Sequence, residues 1–203
     1  RAEKSDTLTI GAVITPSFLR GFNMSVDYYR IKVRNAISTV GQQISVSECV
    51  NSGDPVFCNN VERDSNGFIT RVNDLLLNTA AIQASGIDTE AHYVLPVGFL
   101  GEDGRIGADV FWNHKCTQQR TPYPGGNVQD EINQAACYSC GRLGSGFRDS
   151  VTANFSLSNA RIRFNYNLRY LSPLSDNLDG STPVVTRIPA YTYHDFQLRA
   201  MVG

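Results

Sequence analysis

Residues 159–171, N-A-R-I-R-F-N-Y-N-L-R-Y-L, alternate apolar and polar side chains without a fault. Ala160, Ile162, Phe164, Tyr166, Leu168 and Tyr170 take one parity, and Arg161, Arg163, Asn165, Asn167 and Arg169 the other. A helix would spread these residues around its circumference, whereas a pleated strand sends the two sets to opposite faces. Any fold holding this strand must therefore put an aromatic and aliphatic surface in one environment and a guanidinium and amide surface in another. Two architectures do so. A soluble β-sandwich turns the apolar face onto a second sheet. An outer-membrane barrel turns it to lipid and lines a wet interior with the polar face. On the second reading Ile162, Phe164, Tyr166 and Leu168 face lipid, and Arg161, Arg163, Asn165, Asn167 and Arg169 face the lumen.

The remaining segments choose between the two through the lengths of their connections. Leu8, Ile10, Ala12 and Ile14 mark a first strand. A Pro- and Gly-containing reversal at 16–21 leads to a second, with Phe22, Met24, Val26 and Tyr28 on one side. Alternation fails over 34–68, which reads as a long loop. A strand system begins near Ile69 and ends with Ile87, Thr89, Ala91, Tyr93 and Leu95 on one face. Residues 96–104 form a short turn. Ile106, Ala108, Val110 and Trp112 then alternate with polar partners, with Phe111 the one large apolar residue on the polar side. A second long loop spans 114–146. Val151, Ala153, Phe155 and Leu157 form a strand that reverses tightly at Ser158-Asn159 into the segment above, and a third polar loop at 172–189 precedes a last strand at 191–202. About seven strands and no sizeable helix are predicted. The connections run short, long, short, long, very short, medium, which is the periplasmic-turn and extracellular-loop asymmetry of a transmembrane barrel. Aromatic residues near strand ends, Tyr93, Trp112, Phe147, Tyr170, Tyr191 and Tyr193, are candidate interface anchors.

Composition agrees. The 18 basic and 19 acidic residues leave a formal charge of −1, without the clustered basic excess of a nucleic-acid binder. No run approaches the roughly 18 apolar residues of a transmembrane helix. No basic segment followed by an apolar stretch opens the chain, so it reads as processed or as a piece of something longer. The five cysteines fall in two loop-like clusters, as suits an oxidising compartment. Cys49 and Cys58 are expected to pair. Cys116 is expected to pair with Cys137 or Cys140, leaving one thiol; His114 and Cys116 with Cys137 and Cys140 are the competing reading as four zinc ligands. His92 and His194 have no Ser or Cys nucleophile at a recognisable spacing, so neither an enzyme nor a cofactor is expected.

Several ordered motifs carry a family resemblance. Glu3-Lys4-Ser5 with Gly11 and Pro16, then Asp27-Tyr28-Tyr29 with Ile31, Asn78 followed by Ser85-Gly86-Ile87-Asp88 and Tyr93, and Tyr193-His194-Asp195 resemble the barrel of TonB-dependent outer-membrane receptors over nearly the whole chain. The resemblance implies an all-β fold: about seven antiparallel strands from the C-terminal part of a 22-stranded barrel, in a Gram-negative outer membrane. It also implies an N-terminal plug domain, further strands of the parent chain and an inner-membrane energy-coupling protein as partners. The implied function is uptake of a siderophore, cobalamin or a glycan. No plug or energy-coupling box precedes Arg1 and no closing strand ends the chain, so residues 1–203 are expected to be one partial barrel domain, inactive alone. The alternative class is a secreted, soluble β-sandwich used in adhesion or carbohydrate binding.

Overall fold

The computed structural model describes residues 2–135, 146–175 and 186–201. Its long strands are β1 (Lys4–Ile14), β2 (Phe22–Thr39), then, after two helices and a small hairpin, β5 (Leu76–Pro96) and β6 (Arg105–Thr121), followed by β8 (Asp149–Ser158), β9 (Ile162–Leu171) and β12 (Tyr191–Ala200). Each is hydrogen-bonded to the long strand next in sequence, all antiparallel, giving one meander in the order β1-β2-β5-β6-β8-β9-β12. The intervening pieces are α1 (Gln42–Ser52), α2 (Pro55–Cys58), β3 (Val61–Arg63), β4 (Ile69–Val72), β7 (Gln129–Asp130), β10 (Leu174–Ser175) and β11 (Arg187–Ile188). In a meander the connections alternate between sheet ends. The three short ones therefore share one end and the long ones, which carry every helix longer than a single 3₁₀ turn, share the other.

The register extends the two faces of β9 across the whole sheet. Ala12, Val26, Thr89, Trp112, Val151, Tyr170 and Thr192 form one row of directly opposed residues over all seven strands. Towards the turn end follow the rows Ile14, Met24, Ala91, Val110, Ala153, Leu168, His194; then Phe22, Tyr93, Ala108, Phe155, Tyr166, Phe196; then Leu95, Ile106, Leu157, Phe164, Leu198. These rows are one apolar band. Because successive residues point to opposite sides, the interleaved rows, such as His92, Asp109, Asn154, Asn167 and Asp195, form a polar face.

Two strands are longer than the alternation indicates, for one physical reason. Asn35 adopts φ 51° inside a register shift between Arg34 and Ala36, so β2 runs on to Thr39 with its parity reversed. Asn tolerates this left-handed conformation better than most residues. In β6, Gly86 opposes Lys115 and Ser85 opposes Thr117, leaving Cys116 as the extra residue of a bulge. The strand therefore continues to Thr121, and Cys116 lies in a strand rather than in the predicted loop. The strand system expected from Ile69 is two elements: β4 pairs with β3 in a separate hairpin, and β5 starts at Leu76. The reversal after β8 takes in residues 159–161, where Asn159 Oδ1 accepts from the Arg161 and Ile162 amides at 2.9 and 2.8 Å. Arg161 is thus a turn residue.

The prediction of no sizeable helix is also corrected. The 11-residue α1 is closed by Gly53 in the left-handed conformation at φ 67°. Its residues QQISVSECVNS lack an apolar stripe, so the helix left no periodic signal and is held by tertiary links. Asp74 accepts from the Gly41 amide at 3.0 Å, and a Cys49–Cys58 disulfide ties α1 to α2. Asp54 caps α2 by accepting from Val56 N at 2.9 Å, with Pro55 at the first helical position.

Candidate functional site

The apolar face carries no second layer among the described residues. Ile10, Phe196 and Leu198 remain 64, 70 and 71% exposed. Apart from Ala153, the buried apolar side chains Ala36, Val40, Phe57, Ala80, Ile132, Ala135 and Leu174 all lie towards the loop end. The chain exposes 13199 Å² for 22.3 kDa, against about 9,400 Å² for a compact monomer of that mass. A sandwich would bury this band against another sheet, and among the described residues the other sheets are only the two-stranded β3–β4 and β10–β11 pairs. Instead the face carries an aromatic ladder across β8, β9 and β12. The Phe155, Tyr166 and Phe196 rings stack with centroids 6.0 and 5.0 Å apart. His194, the one imidazole in these rows, is hydrogen-bonded to the Tyr166 hydroxyl at 2.7 Å. At the loop edge Trp112 Nε1 donates to Asp149 Oδ1 at 3.1 Å, and His114 Nδ1 meets the same carboxylate at 2.7 Å.

The polar face is connected by side-chain hydrogen bonds. Asn113 donates to Asp88 at 2.5 Å and reaches the Tyr29 hydroxyl at 3.5 Å. His92 bonds Asp109, and Asn165 donates to Gln197 at 3.2 Å. Carboxylates gather on β2, β5 and β6, where Asp27 directly opposes Asp88. Guanidiniums gather on β9 and β12.

At the loop end the stapled helices dock on the sheet rim. Phe57 lies edge-on to Tyr123 with centroids 5.0 Å apart and planes at 73°. These rings, with Val40, Glu48, Leu77 and Pro124, line a cleft of about 390 Å³. Burial raises the Tyr123 phenol above its ordinary value, and its hydrogen bond to the Glu48 carboxylate and the charge there raise it further. Arg120 anchors the same rim by donating to the Thr39 carbonyl oxygen.

The residues singled out in the sequence divide accordingly. Ile162, Phe164, Tyr166 and Leu168 share the apolar face, and Arg163, Asn165, Asn167 and Arg169 the polar one. Arg169 stands opposite Thr152 and Tyr193, six residues along the strand from Arg163. Tyr191 and Tyr193 take the parity of Arg169, so they are not on the face where aromatic anchors were expected. Cys49 and Cys58 are bonded, Cys116 is free and exposed, and Cys137 and Cys140 lie outside the described residues. No group of metal-ligating side chains occurs among the described residues. Sequence reasoning missed the Phe57–Tyr123–Glu48 cleft, whose members come from two separate loops. It also left out Arg105 and Arg199, which only the register places in one row with Arg163.

The family model described as "TonB dependent receptor-like, beta-barrel" matches residues 1–200. The chain belongs to this family. That membership places the chain in the outer membrane of a Gram-negative bacterium. No curated protein matches. Among solved structures, the FrpB iron transporter from Neisseria meningitidis (F3-3 variant) is similar in fold, with a TM-score of 0.52 and 13% identity. The match covers 99% of this chain and 25% of that one, so the chain spans about a quarter of the length of the transporter it resembles. The family and this neighbour are receptors and transporters.

Proposed function

We propose that this receptor segment is one sector of the wall of an energy-coupled transporter, with its apolar band in the bilayer and its polar face lining the lumen. The four mainly apolar rows, interrupted only by Thr89, Thr192 and His194 and backed by a hydrogen-bonded polar face, carry this reading. On it, Ile162, Phe164, Tyr166 and Leu168 touch lipid, and Arg163, Asn165, Asn167 and Arg169 look into the channel. The long connections stand outside the cell, where the stapled cleft around Phe57 and Tyr123 helps to capture the ligand. The unshared edges of β1 and β12 pair with further strands of the parent chain, because lipid does not tolerate unpaired backbone groups. A plug domain of the parent chain fills the lumen and relays energy from an inner-membrane coupling protein. An iron complex such as a ferric siderophore is the first substrate class to try, on the strength of the similar iron transporter, with cobalamin and glycans next.

The face assignment is tested with an environment-sensitive fluorophore at Phe164 or at Asn165 of the full-length receptor in bilayers of brominated lipid. Strong quenching at 164 and little at 165 is expected. Equal quenching at both, or the reverse, refutes it.

A further inference from the structure

The last row of the polar face, at the turn end, places Arg105, Ser158, Arg163 and Arg199 side by side on β6, β8, β9 and β12. With neighbouring strands about 4.8 Å apart, Arg163 and Arg199 occupy adjacent positions, and Arg105 stands about 10 Å from Arg163 with the Ser158 hydroxyl between them. Arg161 adds a further guanidinium, and its carbonyl oxygen accepts from the Met201 amide at 2.8 Å. Arg161, Arg163 and Arg199 line a cavity of about 260 Å³ together with Asn159, Ile162 and Met201.

Two observations make this more than a charged patch. First, none of these four guanidiniums lies within reach of a carboxylate among the described residues, where Arg34 pairs with Asp6 and the other carboxylate contacts of this kind are His92–Asp109 and His114–Asp149. Asp195 shares the face, but the hydrogen-bonded Asn165–Gln197 row stands between it and Arg199. Like charges in directly opposed positions of an antiparallel pair are destabilising, and arginine cannot relieve the repulsion by losing its proton. Second, the backbone beneath the cavity is fixed. Asn159 Oδ1 holds the Arg161 and Ile162 amides, while its Nδ2 donates to the Leu100 carbonyl oxygen at 3.0 Å in the neighbouring turn. Arg161 is therefore held in a hydrogen-bonded turn, with Arg163 and Arg199 on the paired strands β9 and β12 beside it.

We propose that this cavity binds the phosphate group of an anionic ligand. Guanidinium forks match phosphate oxygens bidentately. A single carboxylate would saturate one fork, whereas a phosphate offers oxygens to Arg161, Arg163 and Arg199 together. Free phosphate and a phospholipid headgroup share this chemistry. The site is defined by the register, the cavity and its guanidiniums, unpaired among the described residues, and stands whether or not the transport reading does.

The full-length receptor in detergent micelles is titrated with inorganic phosphate by calorimetry at low salt. In parallel, the receptor is placed in nanodiscs of phosphatidylglycerol or phosphatidylcholine and the retained lipid is counted by native mass spectrometry. The double variant R163Q/R199Q is expected to weaken phosphate binding at least tenfold, or to reduce retained phosphatidylglycerol to the phosphatidylcholine level. The arm that responds identifies the source. R163K/R199K keeps the charge but loses the fork, and is expected to bind at least threefold more weakly than wild type. It decides the question if the glutamine variant does not fold, as read from heat-modifiable migration. Wild-type protein that binds neither probe, or a lysine variant that binds as wild type does, overturns the proposal.

Discussion

The Tyr29 side chain lies across Gly86, where a Cβ would come within 2.6 Å of its hydroxyl oxygen and 2.5 Å of the His114 carbonyl oxygen. Glycine inside a strand marks such a close approach. This explains why the Ser85-Gly86-Ile87-Asp88 motif holds a glycine beside the Cys116 bulge. Gly86→Ala is expected to destabilise the folded receptor by about 1–3 kcal/mol through overpacking. Gly98→Ala, which meets nothing within 4 Å, should change stability by less than about 0.5 kcal/mol. Urea unfolding midpoints of the two variants in micelles check the contrast; equal midpoints would sink it.

Phe57 is 7% exposed and owes its burial to Tyr123 and the sheet rim. Phe57→Ala should cost about 3 kcal/mol of local stability, since truncating a buried phenylalanine leaves a cavity. Hydrogen exchange read by mass spectrometry is expected to accelerate in α1 and α2 and to stay unchanged in β8 and β9. Acceleration across the whole sheet would contradict a local dock.

The Cys49–Cys58 bond closes a loop of sequence separation 9, worth about 2–3 kcal/mol in the chain-entropy account. Reduction, or Cys49→Ser with Cys58→Ser, should expose residues 42–58 to protease while leaving the strands resistant. Unchanged cleavage would show that the Gly41–Asp74 contact and the Phe57 dock suffice without the bond.

The pH response of the same cleft has a defined sign. The phenol of Tyr123 is raised above its ordinary 10.0 by burial first and by Glu48 second. A group raised in the folded state contributes stability that is complete below the unfolded value and is lost as pH climbs through the folded one. The docked loop should therefore hold to about pH 10 and loosen above it. Tyrosinate absorbance should show one transition later than that of the exposed tyrosines. That transition should vanish in Tyr123→Phe and move down in Glu48→Gln; coincidence of all the tyrosines would refute the assignment.

Leu168 and Asn167 are neighbours on opposite faces of β9. Arginine at a lipid-facing position near the bilayer midplane costs about 2–4 kcal/mol, and lumen positions are more tolerant. Leu168→Arg should fall in that range, and Asn167→Arg should cost less than about 1 kcal/mol, as measured by unfolding in lipid vesicles. Similar penalties at the two sites would argue against the face assignment.

Much of the wall is legible in the sequence because a two-residue period writes the face of each side chain directly into it. Ile162, Phe164, Tyr166 and Leu168 needed only counting. The period fails wherever the backbone inserts a residue. Asn35 and Cys116 each reverse the parity and hid the last turns of β2 and β6. It also fails where a helix is held by distant groups: α1 has no apolar stripe, and a disulfide, a glycine cap and Asp74 keep it in place.

The sequence by itself determined the two-faced strands, the alternation of short and long connections and the Cys49–Cys58 pairing, since each is local in the chain. Only the tertiary structure decided which residues stand side by side across strands. Register brought Arg199 and Arg105 into one row with Arg163, set Asp27 against Asp88, set Tyr193 opposite Arg169 and gave His194 its partner in Tyr166. A one-residue slip would reverse every one of these relations, and no single strand carries the information that fixes its neighbour. The band of apolar side chains excludes every odd slip collectively, and the short turns with the bulges at Asn35 and Cys116 select one register among the even ones.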